Sequence, residues 1–197
     1  MEYSITAEEF QRFRTLIYDE SGISLSEQKK TLLASRLSKR MRELDLATFS
    51  EYYAKVTQDP TREEFTRMLD LISTNKTDFF REPKHFDFLR EQILPGLESA
   101  RRIRIWSSAC STGEEPYTIA MTLYEAVQNP ERWDFKILAS DLSTRVLAKA
   151  ASGTYDQDRF RDVPREVIQR HFLRGRGEQA GVYKVKPHLA DAITFGV

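Results

Sequence analysis

One cysteine, three histidines and a net charge of zero withhold the raw material for several chemistries. Cys110 has no partner for an intrachain disulfide, and a chain without disulfides reads as cytosolic. His85, His171 and His188 are not at metal-ligand spacing, so no metal site is expected. Thirty basic residues balance thirty acidic ones, which gives no support for a nucleic-acid partner. No apolar run approaches the roughly 18 residues of a membrane-spanning helix, and the acidic start lacks a secretory pattern. Direct membrane insertion is therefore not expected. The glycines form neither Gly-x-Gly-x-x-Gly nor Gly-Lys-Ser/Thr, which disfavours a dinucleotide-dependent oxidoreductase and a phosphate-binding loop. Repeats and low-complexity segments are also lacking.

What remains is a chain of 197 residues, 40% hydrophobic and 30% charged, enough for one large domain or two small ones. Its two parts follow different patterns. The first, to about residue 95, predicts short helices. Four capping-box signals of the form Ser/Thr-x-x-Glu stand at Thr6–Glu9, Ser24–Glu27, Thr48–Glu51 and Thr61–Glu64. Apolar residues follow at helical spacing: Phe10, Phe13, Ile17; Leu33, Leu37, Met41, Leu44; Tyr52, Val56; Phe65, Met68, Leu69, Ile72. Gly22 is the expected stop of the first helix, and a further helix is expected from Pro83 to Leu94, ended by Pro95-Gly96.

The second part predicts buried strands at 103–109 and 135–139 with a helix from Glu115 to Val127 between them, hence a parallel pair. A helix follows from Thr144 to Ala151, closed by Gly153, and Pro164 opens another. Residues 172–195 are expected to form a small hairpin around Gly175, Gly177 and Gly181.

Ligands of open α/β sheets bind beyond the carboxyl ends of the strands. There the chain offers Cys110-Ser-Thr-Gly-Glu-Glu-Pro-Tyr117, with two acids that suit a cationic ligand, and Asp141 at the end of the next strand. Asp141 can accept from two ribose hydroxyls. On spacing alone, Asp141 capping the next helix and Glu115 starting its own is an equal reading.

Three ordered motifs, Ser73-Thr-Asn-Lys-Thr-Asp-Phe-Phe-Arg-Glu82, Ile103 to Leu123 and Ala139-Ser-Asp-Leu-Ser143, resemble those of the chemotaxis receptor methyltransferase (CheR) family, and the similarity runs along essentially the whole chain. The resemblance implies an α/β protein with an N-terminal all-α domain over 1–82. A linker helix and loop over 83–98 then lead to a partial class I S-adenosylmethionine-dependent methyltransferase domain of Rossmann-like fold over 99–197, carrying a small antiparallel β-subdomain at about 170–195. Implied too is a protein-glutamate O-methyltransferase that uses S-adenosylmethionine to form γ-methyl esters on the cytoplasmic helices of chemotaxis receptors, for sensory adaptation, and releases S-adenosylhomocysteine. The alternative is a non-catalytic receptor- or cofactor-binding module of the same ancestry.

Carried over by motif, Asn75, Thr77 and Arg81 contact the cofactor's methionine part. Glu115 takes its ammonium and Asp141 its ribose, while Glu114 is left unassigned. Arg81 is the expected catalytic anion-positioning residue. A receptor C-terminal peptide is a second candidate partner, through the β-subdomain. The family's later strands do not follow Val197, so these residues are expected to be a fragment that alone does not turn over.

Six basic residues lie between Glu27 and Glu43. Lys29, Arg36 and Arg40 share a narrow arc beside the apolar stripe. Charge runs are usually solvated faces, but the family's helical domain engages acidic receptor helices, so these three are expected to bind the receptor.

Overall fold

The computed structural model describes residues 3–73 and 76–197 and divides into two compact units, residues 1–74 and 75–197. Asn75 lies outside the described residues.

The first unit consists of α1 (Ala7–Ser21), α2 (Lys30–Glu43), α3 (Phe49–Gln58) and α4 (Glu63–Ile72). Thr6 and Thr48 close full capping boxes: each side chain accepts an amide from the glutamate three residues on, whose carboxylate accepts the threonine's own amide. Gly22 ends α1 in the left-handed conformation, at φ 71°. The other two expected boxes do not form. A 3₁₀ turn, Glu27–Lys29, leads into α2 without a side-chain cap. Before α4 the Asp59 carboxylate takes over, accepting from the amides of Thr61 and Glu64 at 2.9 Å each.

Glu64 cannot reach back because its carboxylate faces inward. Arg40 grips it through Nε at 3.0 Å and Nη2 at 2.7 Å, and the Tyr52 hydroxyl donates to it at 3.0 Å. Burial, then the Glu64 charge, pushes the Tyr52 phenol well above its ordinary range. Around this buried pair the apolar faces meet as their spacing predicts. Phe13, fully buried, stacks on Tyr52 at 6.1 Å and meets Phe49 and Tyr53 edge-on.

Part of the basic arc is engaged within its own unit. Arg36 Nη1 donates to the carbonyls of Leu71, Ile72 and Ser73 at 3.3, 2.6 and 2.9 Å, closing the end of α4. Arg40 holds Glu64 and Glu43. Both guanidiniums are half-buried, because the arc borders the apolar stripe and the neighbouring helix lies against it. Lys29 stays exposed, as do Lys39 and Arg42 elsewhere on the helix.

In the second unit α5 (Pro83–Phe88) continues as a π turn, Leu89–Ile93, and a 3₁₀ turn, Leu94–Leu97. Then come β1 (Arg102–Ser108), α6 (Glu114–Ala126), β2 (Asp134–Ser140), α7 (Thr144–Ser152), β3 (Thr154–Asp156), α8 (Arg165–His171), β4 (Phe172–Arg174), β5 (Val182–Val185), α9 (Pro187–Ala190) and β6 (Ile193–Gly196). β1, β2 and β6 form a parallel sheet in that order, with Ser108 beside Ser140 and Ser140 beside Gly196. One face buries Ile103, Ser107, Phe135, Ile137, Ala139 and Ile193, and α6 packs on the sheet. Trp106 and its neighbour Leu138 alternate away from those residues and are exposed. Among the described residues no strand pairs with the outer edge of β1.

The small subdomain differs from the expected hairpin. Its antiparallel sheet has the order β3-β5-β4, so it recruits Thr154–Asp156 from upstream, while β6 leaves it for the parallel sheet. The short β3 carried no alternating pattern to betray it. An aromatic cluster fills its underside: Phe160 lies 5.0 Å from Phe79, 4.8 Å from Phe172 and 5.0 Å from Tyr183. Nearby, His171 Nε2 lies 2.6 Å from Glu125 Oε1 and its Nδ1 lies 3.0 Å from Nε2 of His188, tying α6, α8 and α9 together.

Candidate active site

Paired parallel strands deliver their following loops side by side, so the turn after β1 and the residues after β2 leave the sheet together. The first loop is tightly wound. Ala109, Ser111 and Gly113 all have positive φ, at 59°, 51° and 94°. Gly113 is needed twice over: beyond its φ, a Cβ there would come within 2.8 Å of Ala150 Cβ and the Tyr155 hydroxyl oxygen. Two bonds to the second strand pin the loop. The Cys110 amide donates to the Ser140 carbonyl at 2.9 Å, and the Ser111 amide donates to Asp141 Oδ2 at 2.8 Å. The other oxygen, Oδ1, accepts from the Ser143 amide at 2.9 Å. Ser143 in turn caps α7.

Asp141 thus joins the glycine loop to the start of α7. Each carboxylate oxygen has about two acceptor positions, so a second remains on each beyond these amides. The capping role and a ligand role are compatible.

The two acids of the loop separate sharply. Glu115 is exposed in the first turn of α6, and its Oε1 accepts from the Ser107 hydroxyl at 2.7 Å. Glu114 is 1% exposed. Its Oε2 accepts from the Thr112 hydroxyl at 2.6 Å, and its Oε1 is held by Arg159. Sequence reasoning left Glu114 unassigned and missed Arg159. A signal for Glu114 existed, because residues 114, 117, 118 and 121 fall on one helical face and all are buried. Arg159 stands in a short turn after β3, where nothing in the sequence pairs it with residue 114.

The segment 76–82 lies against the same loop. Phe79 is buried in the aromatic cluster, and the Phe80 amide donates to Thr118 Oγ1 at 3.2 Å. The Thr77 carbonyl accepts from Arg159 Nη2 at 2.5 Å. Arg81 is exposed, with Nη1 donating to the Lys76 carbonyl at 2.8 Å, so its guanidinium retains further donors for an anion. Thr77, Glu115 and Asp141 therefore belong to connected segments, with Arg81 at their exposed margin. Lys29, Arg36 and Arg40 belong to the other unit.

Burial, and then the Asp141 charge, push the Cys110 thiol up to about 12, so it is not a nucleophile at neutral pH. No cluster of three metal-binding side chains occurs among the described residues. Exposed acid beside a backbone-lined turn suits a ligand carrying both positive charge and hydroxyl groups.

Known proteins with this sequence pattern are consistent along the chain. A family model described as "CheR methyltransferase, SAM binding domain" matches residues 75–197, and one described as "CheR methyltransferase, all-alpha domain" matches residues 8–73. The chain is 41% identical over 194 residues to Chemotaxis protein methyltransferase 2 of Pseudomonas aeruginosa, covering 98% of this chain and 68% of that protein. To the Chemotaxis protein methyltransferase of Escherichia coli it is 37% identical, covering 94% and 64%. To that of Borreliella burgdorferi it is 42% identical, covering 98% and 69%. The chain spans about two thirds of the length of these relatives.

Proposed function

Because the chain belongs to the CheR methyltransferase family, we propose that it serves S-adenosylmethionine-dependent methylation of glutamate side chains on the cytoplasmic part of chemotaxis receptors. The observation that carries this reading is the joining of two loops beyond adjacent parallel strands, where Asp141 accepts the Ser111 amide and Glu115 accepts the Ser107 hydroxyl, beside a turn closed by Gly113.

The donor set fits the cofactor. Asp141, already anchored by two amides, offers its remaining acceptor positions to the ribose hydroxyls. Glu115 offers an exposed carboxylate to the ammonium of the methionine part, and the first turn of α6 favours an anion there. Asn75, Thr77 and Arg81 frame the methionine end. When bound, S-adenosylmethionine supplies an activated methyl on a sulfonium.

The residues have little proton chemistry to perform. A substrate glutamate has a reference pKa of about 4.3 and is ionised at neutral pH, so it needs no general base. The protein's work is alignment and exclusion of water. Arg81 positions the incoming carboxylate through its guanidinium fork. In the helical unit Lys29, Arg36 and Arg40 are the candidates for receptor contact, Lys29 as an exposed charge and the two arginines while also bonded to α4. The antiparallel subdomain is the candidate seat of a receptor C-terminal peptide.

The test has two arms. Calorimetry of this chain with S-adenosylmethionine should give weak but saturable binding, and a chain extended to the length of its relatives should pass labelled methyl to a receptor cytoplasmic fragment as a base-labile ester. Binding without transfer would favour a non-catalytic module, and absence of binding would sink the reading altogether.

A further inference from the structure

Two walls of the candidate site come from stretches far apart in sequence, residues 77–81 and 112–115. Arg159 bonds to both. Its Nε and Nη2 lie 3.1 and 2.5 Å from Glu114 Oε1, and Nη2 also reaches the Thr77 carbonyl at 2.5 Å. Nη1 lies 3.6 Å from Asp78 Oδ1. Arg159 is itself held in place. It precedes Phe160, which stacks on Phe79 at 5.0 Å, and follows β3, where the Tyr155 hydroxyl donates to the Thr112 carbonyl at 2.7 Å. The antiparallel subdomain thus holds both walls.

A planar, multi-donor cation suits this point. Glu114 is 1% exposed, and a carboxylate so deeply buried requires a charged partner. One ammonium could neutralise it. It could also reach the Thr77 carbonyl, as Nη2 alone does, but it would give up the Nε bond to Glu114, the approach of Nη1 to Asp78 and the fixed direction of the planar fork. Glu114 adjoins Glu115 in the chain, so a displaced 77–81 segment or a loosened Glu114 alters the spacing between the residues assigned to the methionine part of the cofactor.

We propose that Arg159 is a positioning residue for S-adenosylmethionine: it fixes the Thr77–Arg81 segment against the Glu114–Glu115 turn and makes the antiparallel subdomain a determinant of cofactor affinity. This rests on the functional reading above. Arg159 acts through Thr77 and Glu114 and touches no reacting atom.

Arg159→Lys is the informative variant, since it keeps a charge for Glu114 and loses the fork. S-adenosylmethionine affinity is measured by calorimetry well below the melting transition, alongside amide hydrogen exchange. The expected result is affinity reduced about tenfold, or about 1.4 kcal/mol, with exchange accelerated at residues 78–82 and unchanged in α6 beyond its first turn. Affinity within twofold of the parent overturns the proposal, as does acceleration spread evenly over the unit, which marks a merely structural role. Arg159→Gln combined with Glu114→Gln, which removes the buried charge together with its partner, is tested identically and decides if the lysine variant fails to fold. A parent chain that does not bind the cofactor refutes the functional reading instead, and segment-confined exchange then still reports whether Arg159 holds the two walls.

Discussion

Asp141 serves the fold before it serves any ligand, and this changes what its removal should do. Asp141→Ala strips an acceptor from the amides of Ser111 and Ser143, so it should cost about 1–3 kcal/mol of stability besides abolishing cofactor binding. Thermal melting and calorimetry on the same sample separate the two losses; an unchanged melting temperature would show that the loop does not need this anchor. Arg40 offers a sharper case. Arg40→Ala strands the buried Glu64 carboxylate and should destabilise the helical unit by about 3–5 kcal/mol, whereas Arg40→Ala with Glu64→Leu should regain much of that. Urea titration measures both, and equal stability of single mutant and parent would contradict the buried pair. The arc of Lys29, Arg36 and Arg40 was legible in the sequence as an arc. Its use was not, because the carbonyls of Leu71, Ile72 and Ser73 and the carboxylate of Glu64 arrive from another helix.

Among the elements, those with a strong period or a strong stop are as the sequence predicts: α1 ending at Gly22, β1 and β2 with α6 between them, α7 closed by Gly153. What escaped was decided by pairing partners distant in the chain, namely β3 in the small sheet and β6 in the large one. The loop between β1 and α6 should be intolerant of the smallest added group. Gly113→Ala puts a methyl 2.8 Å from Ala150 Cβ at a φ of 94°, and overpacking alone costs about 1–3 kcal/mol. Cofactor affinity should fall with stability; a variant that binds like the parent would mean the loop yields freely. The junction of α6, α8 and α9 carries a pH signature. Burial holds both His171 and His188 below the ordinary histidine range, so the unfolded chain takes up protons first as pH falls. Their contribution is fully present above about pH 6.5 and is lost progressively below it. Denaturation at pH 7.5 and 5.5 should show this loss, and His171→Phe with His188→Leu should flatten it.

At the scale of the molecule, the core of the first unit is built entirely from its own residues, Ile5 to Ile72. Residues 1–74 alone should therefore be helical and unfold in one cooperative transition by circular dichroism; a gradual, featureless melt would mean that this core depends on the second unit. The three motifs made the two-part organisation legible, whereas the contacts of Arg159 were not, since they join three remote segments. The parallel sheet also has an optical consequence. The chain contains two tryptophans. Trp106, 68% exposed, donates its indole N–H to Ser140 Oγ beside Asp141, while Trp133 stacks on Phe135 at the opposite ends of the strands. A ligand settling at Asp141 should shift or quench the red-edge emission of the first indole and leave the second unchanged. Trp133→Phe would then give a single-fluorophore protein whose brightness reads occupancy of the site directly, without label or coupled assay.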